Sequence, residues 1–157
     1  MTTIAIQRLA TDDVEAARDL NALYADAFAD HETYRRDHPD DAWLARQLGK
    51  DAIILLVARI DGRIVGGLTA YELPKFEAAR SEIYLYDLAV CASVRRRGVA
   101  TALITELQHI AAETGAWAVF VQADYGDDPA VAIYTKLGVR ADVLHFDLPP
   151  LPRAKEG

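Results

Sequence analysis

Three arginines and a glycine, Arg95-Arg96-Arg97-Gly98, stand directly before a stretch of helical periodicity, Val99 to Ala112, in which Leu103, Leu107 and Ile110 share one stripe. Upstream, Leu85 to Val90 reads as the end of a buried strand. A strand, a tight turn and a helix start make an anion cradle. The first helical N–H groups have no intrahelical partners and lie at the positive end of the helix dipole. Gly98 lets a ligand approach the backbone closely because it has no Cβ. Ala100 keeps a nearby position small, and the arginines place charge where a phosphate would lie. The spacing fits neither a Walker loop, which ends in Gly-Lys-Ser/Thr, nor Gly-x-Gly-x-x-Gly. Taken alone, the turn is equally consistent with a plain β–turn–α connection carrying a basic surface loop.

A second group is acidic. Asp124, Asp127 and Asp128 crowd one loop around Tyr125. Asp128 followed by Pro129 reads as a helix N-cap and first helical residue, which gives one acid a structural role. Three acids exceed what a cap requires, and they repel one another unless a cation meets them. A polyamine-like polycation is the natural partner. His31, His38, His109 and His145 show no metal-ligand spacing, so no metal is expected. Cys91 has no histidine that can be placed beside it and reads as structural.

The elements that must carry these groups follow from local pattern. Thr3 to Leu9 reads as a first strand. Thr11 is a plausible N-cap for a helix through Val14, Ala17, Leu20, Leu23 and Tyr24 to about Phe28. Asp30 to Pro39 is polar with no clean period. Asp40 or Asp41 opens a short helix stopped at Gly49. Ala52 to Ile60, Asp61-Gly62 and Ile64 to Leu73 form a hairpin pattern, and Gly66-Gly67 inside its second strand marks a bulge or a close approach. Ser81 to Val90 is the next strand, with Glu82, Tyr84, Tyr86 and Leu88 on one face by alternation and Asp87 opposite unless a bulge shifts the parity. The helix from Val99 ends at Gly115. A strand runs from Trp117 to Ala123, a last helix ends at Gly138, and a last strand runs from Val139 to about Asp147. This order implies an α/β chain with a mixed sheet and helices on both faces. The expected division is a single domain over 1–148 and a loose Pro-rich tail over 149–157.

The 157 residues suffice for one real core. The longest apolar run, Ala52 to Ala58, is far short of a membrane span, and no basic-then-apolar leader opens the chain. With one cysteine, an internal disulfide is excluded; these features together point to the cytoplasm. Acids exceed bases by 24 to 17, for a net charge of −7, whereas nucleic-acid binders show a basic excess.

Arg95-x-x-Gly98-x-Ala100 after Leu88-Ala89-Val90 resembles the acetyl-CoA pyrophosphate loop of the Gcn5-related N-acetyltransferases. Ala130-x-x-Ile133-Tyr134-Thr135-Lys136-Leu137-Gly138-Val139 resembles that family's second signature, with Asp127 where Asn is common and Val139 where Phe is usual. The resemblance implies acetyl-CoA as co-substrate, held by Leu88, Ala89 and Val90 along its pantetheine and by Arg95, Arg96, Arg97, Gly98, Val99, Ala100 and Thr101 at its pyrophosphate. It places Tyr134 as the phenol near the departing thiolate, and Val90 N–H near the thioester oxygen. Glu82 becomes the candidate general base, with Asp87 ranked second. Longer strings, Leu73 to Glu77, Arg80 to Tyr84, Tyr86 to Val90 and Val121 to Ala130, resemble the aminoglycoside 3-N-acetyltransferases of the gentamicin-modifying type. That closer resemblance implies a substrate site drawn from Glu82, Tyr84, Asp124, Tyr125, Asp127 and Asp128, acetylation of the 3-amino group, antibiotic resistance and a homodimer. The competing readings are a polyamine acetyltransferase, a protein N-terminal acetyltransferase and a non-catalytic acetyl-CoA-binding module. No nucleic-acid or membrane partner is expected.

Overall fold

Local chemistry sets most of the element boundaries in the computed structural model, which describes residues 2–36 and 38–154. The strands are β1 (Ala5–Arg8), β2 (Ile53–Ile60), β3 (Arg63–Pro74), β4 (Ser81–Val90) and β5 (Ala116–Val121). The helices are α1 (Val14–Ala27), α2 (His31–Arg36), α3 (Asp41–Leu48), α4 (Val99–Thr114) and α5 (Asp128–Leu137), with a 3-10 turn at Ala92–Val94. Two compact units result, Met1–Gln122 and Ala123–Gly157.

The first unit is built on a five-stranded sheet in the order β1-β2-β3-β4-β5. Its pairs are antiparallel except β4–β5, which is parallel and joined through α4. The β2–β3 hairpin turns at Asp61-Gly62, both with positive φ, as the sequence pattern requires. Helices cover both faces. A Cβ on Gly67 would overlap Leu20 of α1, and one on Gly66 would lie 3.0 Å from Val99 Cγ1 of α4. The paired glycines therefore serve close approach, one on each face, and the extra residue of the irregular β2–β3 pairing, Val65, falls beside them, opposite the step from Ala58 to Arg59. On the α1 side, Ala17, Leu20, Tyr24, Leu48 and Val57 form one apolar cluster. On the other, Leu103 and Leu107 of α4 are fully buried. This is the expected mixed sheet with helices on both faces.

Several boundaries differ from the sequence pattern. Asp13, not Thr11, precedes α1, and its carboxylate accepts from Ala10 N–H rather than capping the helix. The segment expected to be irregular before Pro39 contains α2, a six-residue helix, with Asp30 Oδ1 accepting from Thr33 N–H at its start. α3 is capped as expected, Asp40 Oδ1 accepting from Trp43 N–H at 2.7 Å.

In the second unit α5 ends at Gly138. The strand expected from Val139 to about Asp147 does not form: residues 139–154 carry no regular secondary structure. The alternating pattern is present, but a strand needs a neighbour to accept its backbone bonds, and no ladder among the described residues includes this segment. Residues 155–157 of the expected tail lie outside the described residues.

Candidate active site

β4 carries the acceptor side of the candidate site, and a bulge decides which residues face it. Tyr84 pairs with Tyr71, Leu85 with Ala70, and Asp87 with Thr69, so Tyr86 is the extra residue. Thr69 and Tyr71 are two apart on β3 and share a face, the α1 face, where Tyr24 Oη meets Thr69 Oγ1 at 2.9 Å. The bulge thus brings Asp87 onto the face of Tyr84 and puts Leu88 on the other. Simple alternation had grouped Leu88 with Glu82 and Tyr84, and the extra residue breaks that grouping.

Asp87 is half-buried and accepts a hydrogen bond from Tyr34 Oη of α2 at 3.3 Å. Burial pushes its carboxyl above the usual carboxylate range, and the Tyr34 bond works against that rise. Burial, and then the charge of Asp87, hold the Tyr34 phenol protonated with its pKa pushed up to about 12. Three more tyrosines complete a bowl. Tyr71 meets Tyr86 edge-on at 5.8 Å, Tyr86 meets Tyr84 at 5.4 Å, and Tyr84 stacks on Phe120 at 4.7 Å. Tyr84 Oη donates to Gln122 Oε1 at 2.7 Å. A carboxylate amid aromatic faces suits an ammonium group: the charge pairs with the acid and the C–H surface lies on the rings.

Glu82, the first-ranked base in the sequence, is engaged by its neighbours. Its Oε1 accepts from Trp117 Nε1 at 3.0 Å and lies 3.9 Å from Lys75 Nζ. Arg80 covers the same indole at 4.0 Å. The ion pair and the indole bond occupy Oε1 of this carboxylate, whereas Asp87 has a single neutral donor.

Leu88, Ala89 and Val90 pair with Leu68, Gly67 and Gly66 of β3. On the other side the β4–β5 ladder stops at Leu85–Val121. From Asp87 to Val90, β4 therefore pairs on one edge only, leaving backbone groups on the other for an extended ligand, in the manner of an added strand. The loop that follows is basic. Arg95, Arg96 and Arg97 are exposed, and Arg97 Nη2 donates to Thr2 Oγ1 at 2.8 Å. Arg96 has φ +62° and Gly98 φ +82°, so the turn is left-handed at two positions before α4. No atom lies within 4 Å of a Cβ built on Gly98, so the cradle is open where a ligand would meet it. A non-glycine residue held at positive φ beside such a cradle is a local cost that accompanies functional loops. Val99 is buried at the helix start, while Ala100 is half-buried and Thr101 exposed.

The second unit holds the remaining candidates. Asp127, one residue earlier than expected, is the N-cap of α5, its Oδ1 accepting from Ala130 N–H. Asp128 lies in the first turn beside the positive helix end. Two of the three acids thus have structural roles, and Asp124, Asp127 and Asp128 are all exposed. Tyr125 is exposed beside the Arg140 guanidinium at 5.9 Å. Tyr134 is half-buried on α5. Burial, and then the charge of Asp127, push its phenol up to about 12. Among the described residues no group of three His, Cys, Asp or Glu is placed to hold a metal, and no helix is long and apolar enough to cross a membrane.

Comparison with known proteins bears on both units. A family model described as acetyltransferase (GNAT) family matches residues 17–139. The crystal structure of an aminoglycoside acetyltransferase from an uncultured soil metagenomic sample superposes with a TM-score of 0.92 at 49% identity, covering 94% of this chain and 99% of that one. A second such enzyme from a soil metagenomic sample, crystallised in complex with sisomicin, superposes with a TM-score of 0.87 at 32% identity, covering 94% and 96%. The L-amino acid N-acetyltransferase AaaT of Escherichia coli (strain K12) is 31% identical over 149 residues, 88% of this chain and 83% of that protein.

Proposed function

The chain belongs to the acetyltransferase (GNAT) family, and we propose that it moves the acetyl group of acetyl-CoA onto an amine of an aminoglycoside, the 3-amino group being the expected position and antibiotic resistance the consequence. The observation that carries this reading is the 49% identity, over nearly the full length of both chains, to an aminoglycoside acetyltransferase. The Asp87 bowl agrees with it, since an aminoglycoside offers ammonium groups and ring surface rather than apolar bulk.

Acetyl-CoA supplies an activated thioester when bound. The basic turn at Arg95–Gly98 and the one-sided edge of Leu88, Ala89 and Val90 are proposed to hold it, with Val90 N–H the donor to the thioester oxygen. Asp87, ionised, takes a proton from the substrate ammonium, directly or through water, so that the neutral amine can attack. Tyr34 keeps that carboxylate ionised by donating to it. Glu82, held by Trp117 and Lys75, shapes the acceptor side and adds negative field. The Tyr134 phenol, protonated throughout the working range, is the proposed proton donor to the departing thiolate. Asp124, Tyr125, Asp127 and Asp128 are the proposed loop contacts to the polycationic substrate.

A thiol-release assay over gentamicin, sisomicin, spermidine and L-amino acids tests the assignment. The expected result is a kcat/KM for the aminoglycosides at least 10-fold above the others, about 1.4 kcal/mol of transition-state preference. Turnover of L-amino acids alone would transfer the assignment to the reaction named for the Escherichia coli relative. Product fragmentation in a mass spectrometer locates the acetylated amine.

A further inference from the structure

Glu82 and Asp87 share the α1 face of β4. Glu82 pairs with Leu73 and Asp87 with Thr69, so four steps of β3 separate the two carboxylates, about 13 Å at the usual rise of a strand. Between them the rings of Tyr71, Tyr86 and Tyr84 meet edge-on in sequence, and Tyr71 and Tyr86 are exposed. The floor therefore offers a carboxylate at each end and aromatic faces along the middle.

The outer carboxylate already has a cation beside it. Lys75 Nζ lies 3.9 Å from Glu82 Oε1 and 3.6 Å from Glu77 Oε1. Both distances exceed hydrogen-bond reach, so the ammonium is shared between two acids and fastened to neither. The backbone of Lys75 is fixed, its N–H donating to the Arg80 carbonyl at 2.8 Å, so its side chain can swing while the hairpin stays in place. Glu82 is fixed as well. Trp117 Nε1 donates to the same Oε1 at 3.0 Å, and the Arg80 guanidinium covers that indole at 4.0 Å. A rigid carboxylate with a loosely held counter-ion is a place where one ammonium replaces another. The part-exposed Lys75 contact contributes little, whereas an ammonium seated on Glu82 makes a charge-assisted hydrogen bond. Glu77 receives the lysine, so the exchange leaves Lys75 with a partner.

We propose that Lys75 is a resident stand-in for a substrate ammonium: an acceptor whose reacting amine meets Asp87 seats a second ammonium on Glu82, and Lys75 passes to Glu77. This rests on the reading of Asp87 as the base, and it narrows the substrate class. The acceptor carries two ammonium groups on the order of 13 Å apart, joined by linked rings whose C–H faces lie on the tyrosines. A flexible chain of the same reach loses more conformational freedom on binding. An L-amino acid reaches only one of the two acids and brings its own carboxylate toward it.

The experiment measures binding and turnover of sisomicin separately, on the full chain. Calorimetry with CoA present follows binding, and thiol release from acetyl-CoA follows turnover. Glu82→Gln keeps an acceptor for Trp117 and removes the charge, and it should weaken sisomicin binding about 10-fold. Lys75→Met removes the competitor and should tighten binding about 3-fold. In the doubly substituted chain the lysine change should have no effect, because the carboxylate it competed for is gone. A lysine that only supports the hairpin would give the same change in both backgrounds. A Lys75→Met chain that binds sisomicin no more tightly than the wild type, or one whose gain persists without Glu82, would overturn the exchange. Turnover without this coupling would remove the subsite and leave the aminoglycoside reading standing. Coupled binding without turnover would do the reverse, and no binding at all would remove both.

Discussion

Tyr34 of α2 donates its phenolic proton to Asp87 of β4, 53 residues away, through a long bond of 3.3 Å. The carboxylate it meets is half-buried and has its pKa raised by that burial, so the single donor is what favours the ionised form. Asp87 is the proposed base and must be deprotonated before it can act, so this pair is expected to set where activity begins on the pH scale. The acid limb of kcat/KM should lie above the ordinary carboxylate range. Tyr34→Phe removes the one contact that lowers the Asp87 pKa, so the limb should move to higher pH while the plateau changes less. A full pH profile of both proteins decides it; an unmoved limb would separate Tyr34 from the chemistry.

Asp87→Asn separates catalysis from stability. The folded chain holds the Asp87 proton more tightly than the unfolded chain does. Asp87 therefore lowers stability as pH rises from the ordinary carboxylate range through its raised folded value. The asparagine variant should lose activity by roughly 10²-fold or more, yet unfold at the same or higher denaturant concentration at pH 7. Glu82→Gln should leave more activity than Asp87→Asn, because the Trp117 bond survives an amide.

Gly98 should be sensitive for two separable reasons. Its φ of +82° makes any substitution cost about 1 kcal/mol of stability. A Cβ there meets no protein atom, so a larger loss must come from the ligand. Gly98→Ala should weaken acetyl-CoA binding at least 5-fold, roughly the value of one hydrogen bond. Calorimetry on the folded variant measures this, and unchanged affinity would remove the turn from the site.

The acid loop should respond according to which role each residue has. Asp127→Asn keeps a good N-cap and removes charge, whereas Asp127→Ala also loses the cap, at about 1 kcal/mol. If charge serves the substrate, Asp127→Asn and Asp124→Asn should each raise KM for gentamicin several-fold, and KM should rise with salt. Equal effects of Asn and Ala at 127 on stability would contradict the capping role.

Tyr134→Phe should lower kcat by roughly 10²-fold with little change in KM for acetyl-CoA. Because its pKa is pushed up to about 12, the phenol should contribute no basic limb below pH 10. A variant with wild-type kcat would return Tyr134 to packing.

What the sequence made legible is what short-range chemistry decides. Asp61-Gly62 closes its hairpin, Asp40 caps α3, and Gly115 ends α4, because each depends on neighbours within a few residues. α2 was not legible: six polar residues show no apolar period, and the Tyr34 bond to a distant strand reveals its role. The ranking of Glu82 over Asp87 rested on that same local pattern. Alternation within β4 is visible in sequence, but the bulge at Tyr86 is a property of its register against Thr69 and Ala70. The strand expected from Val139 to about Asp147 is absent because pairing depends on a neighbour that the segment's own sequence does not name.

The extra residue at Tyr86 also gives β4 two independent reading frames. Upstream of it, Glu82 and Tyr84 face the proposed acceptor side; downstream, Leu88 to Val90 pair with β3 and are the proposed backbone contacts to the donor. Substitutions in the first frame are expected to leave the register of the second unchanged, since the slack is already taken up between them. Loss of the bulge with Tyr86 retained would turn Asp87 toward α4, whereas deletion of Tyr86 itself would leave Asp87 opposite Thr69 in a regular ladder.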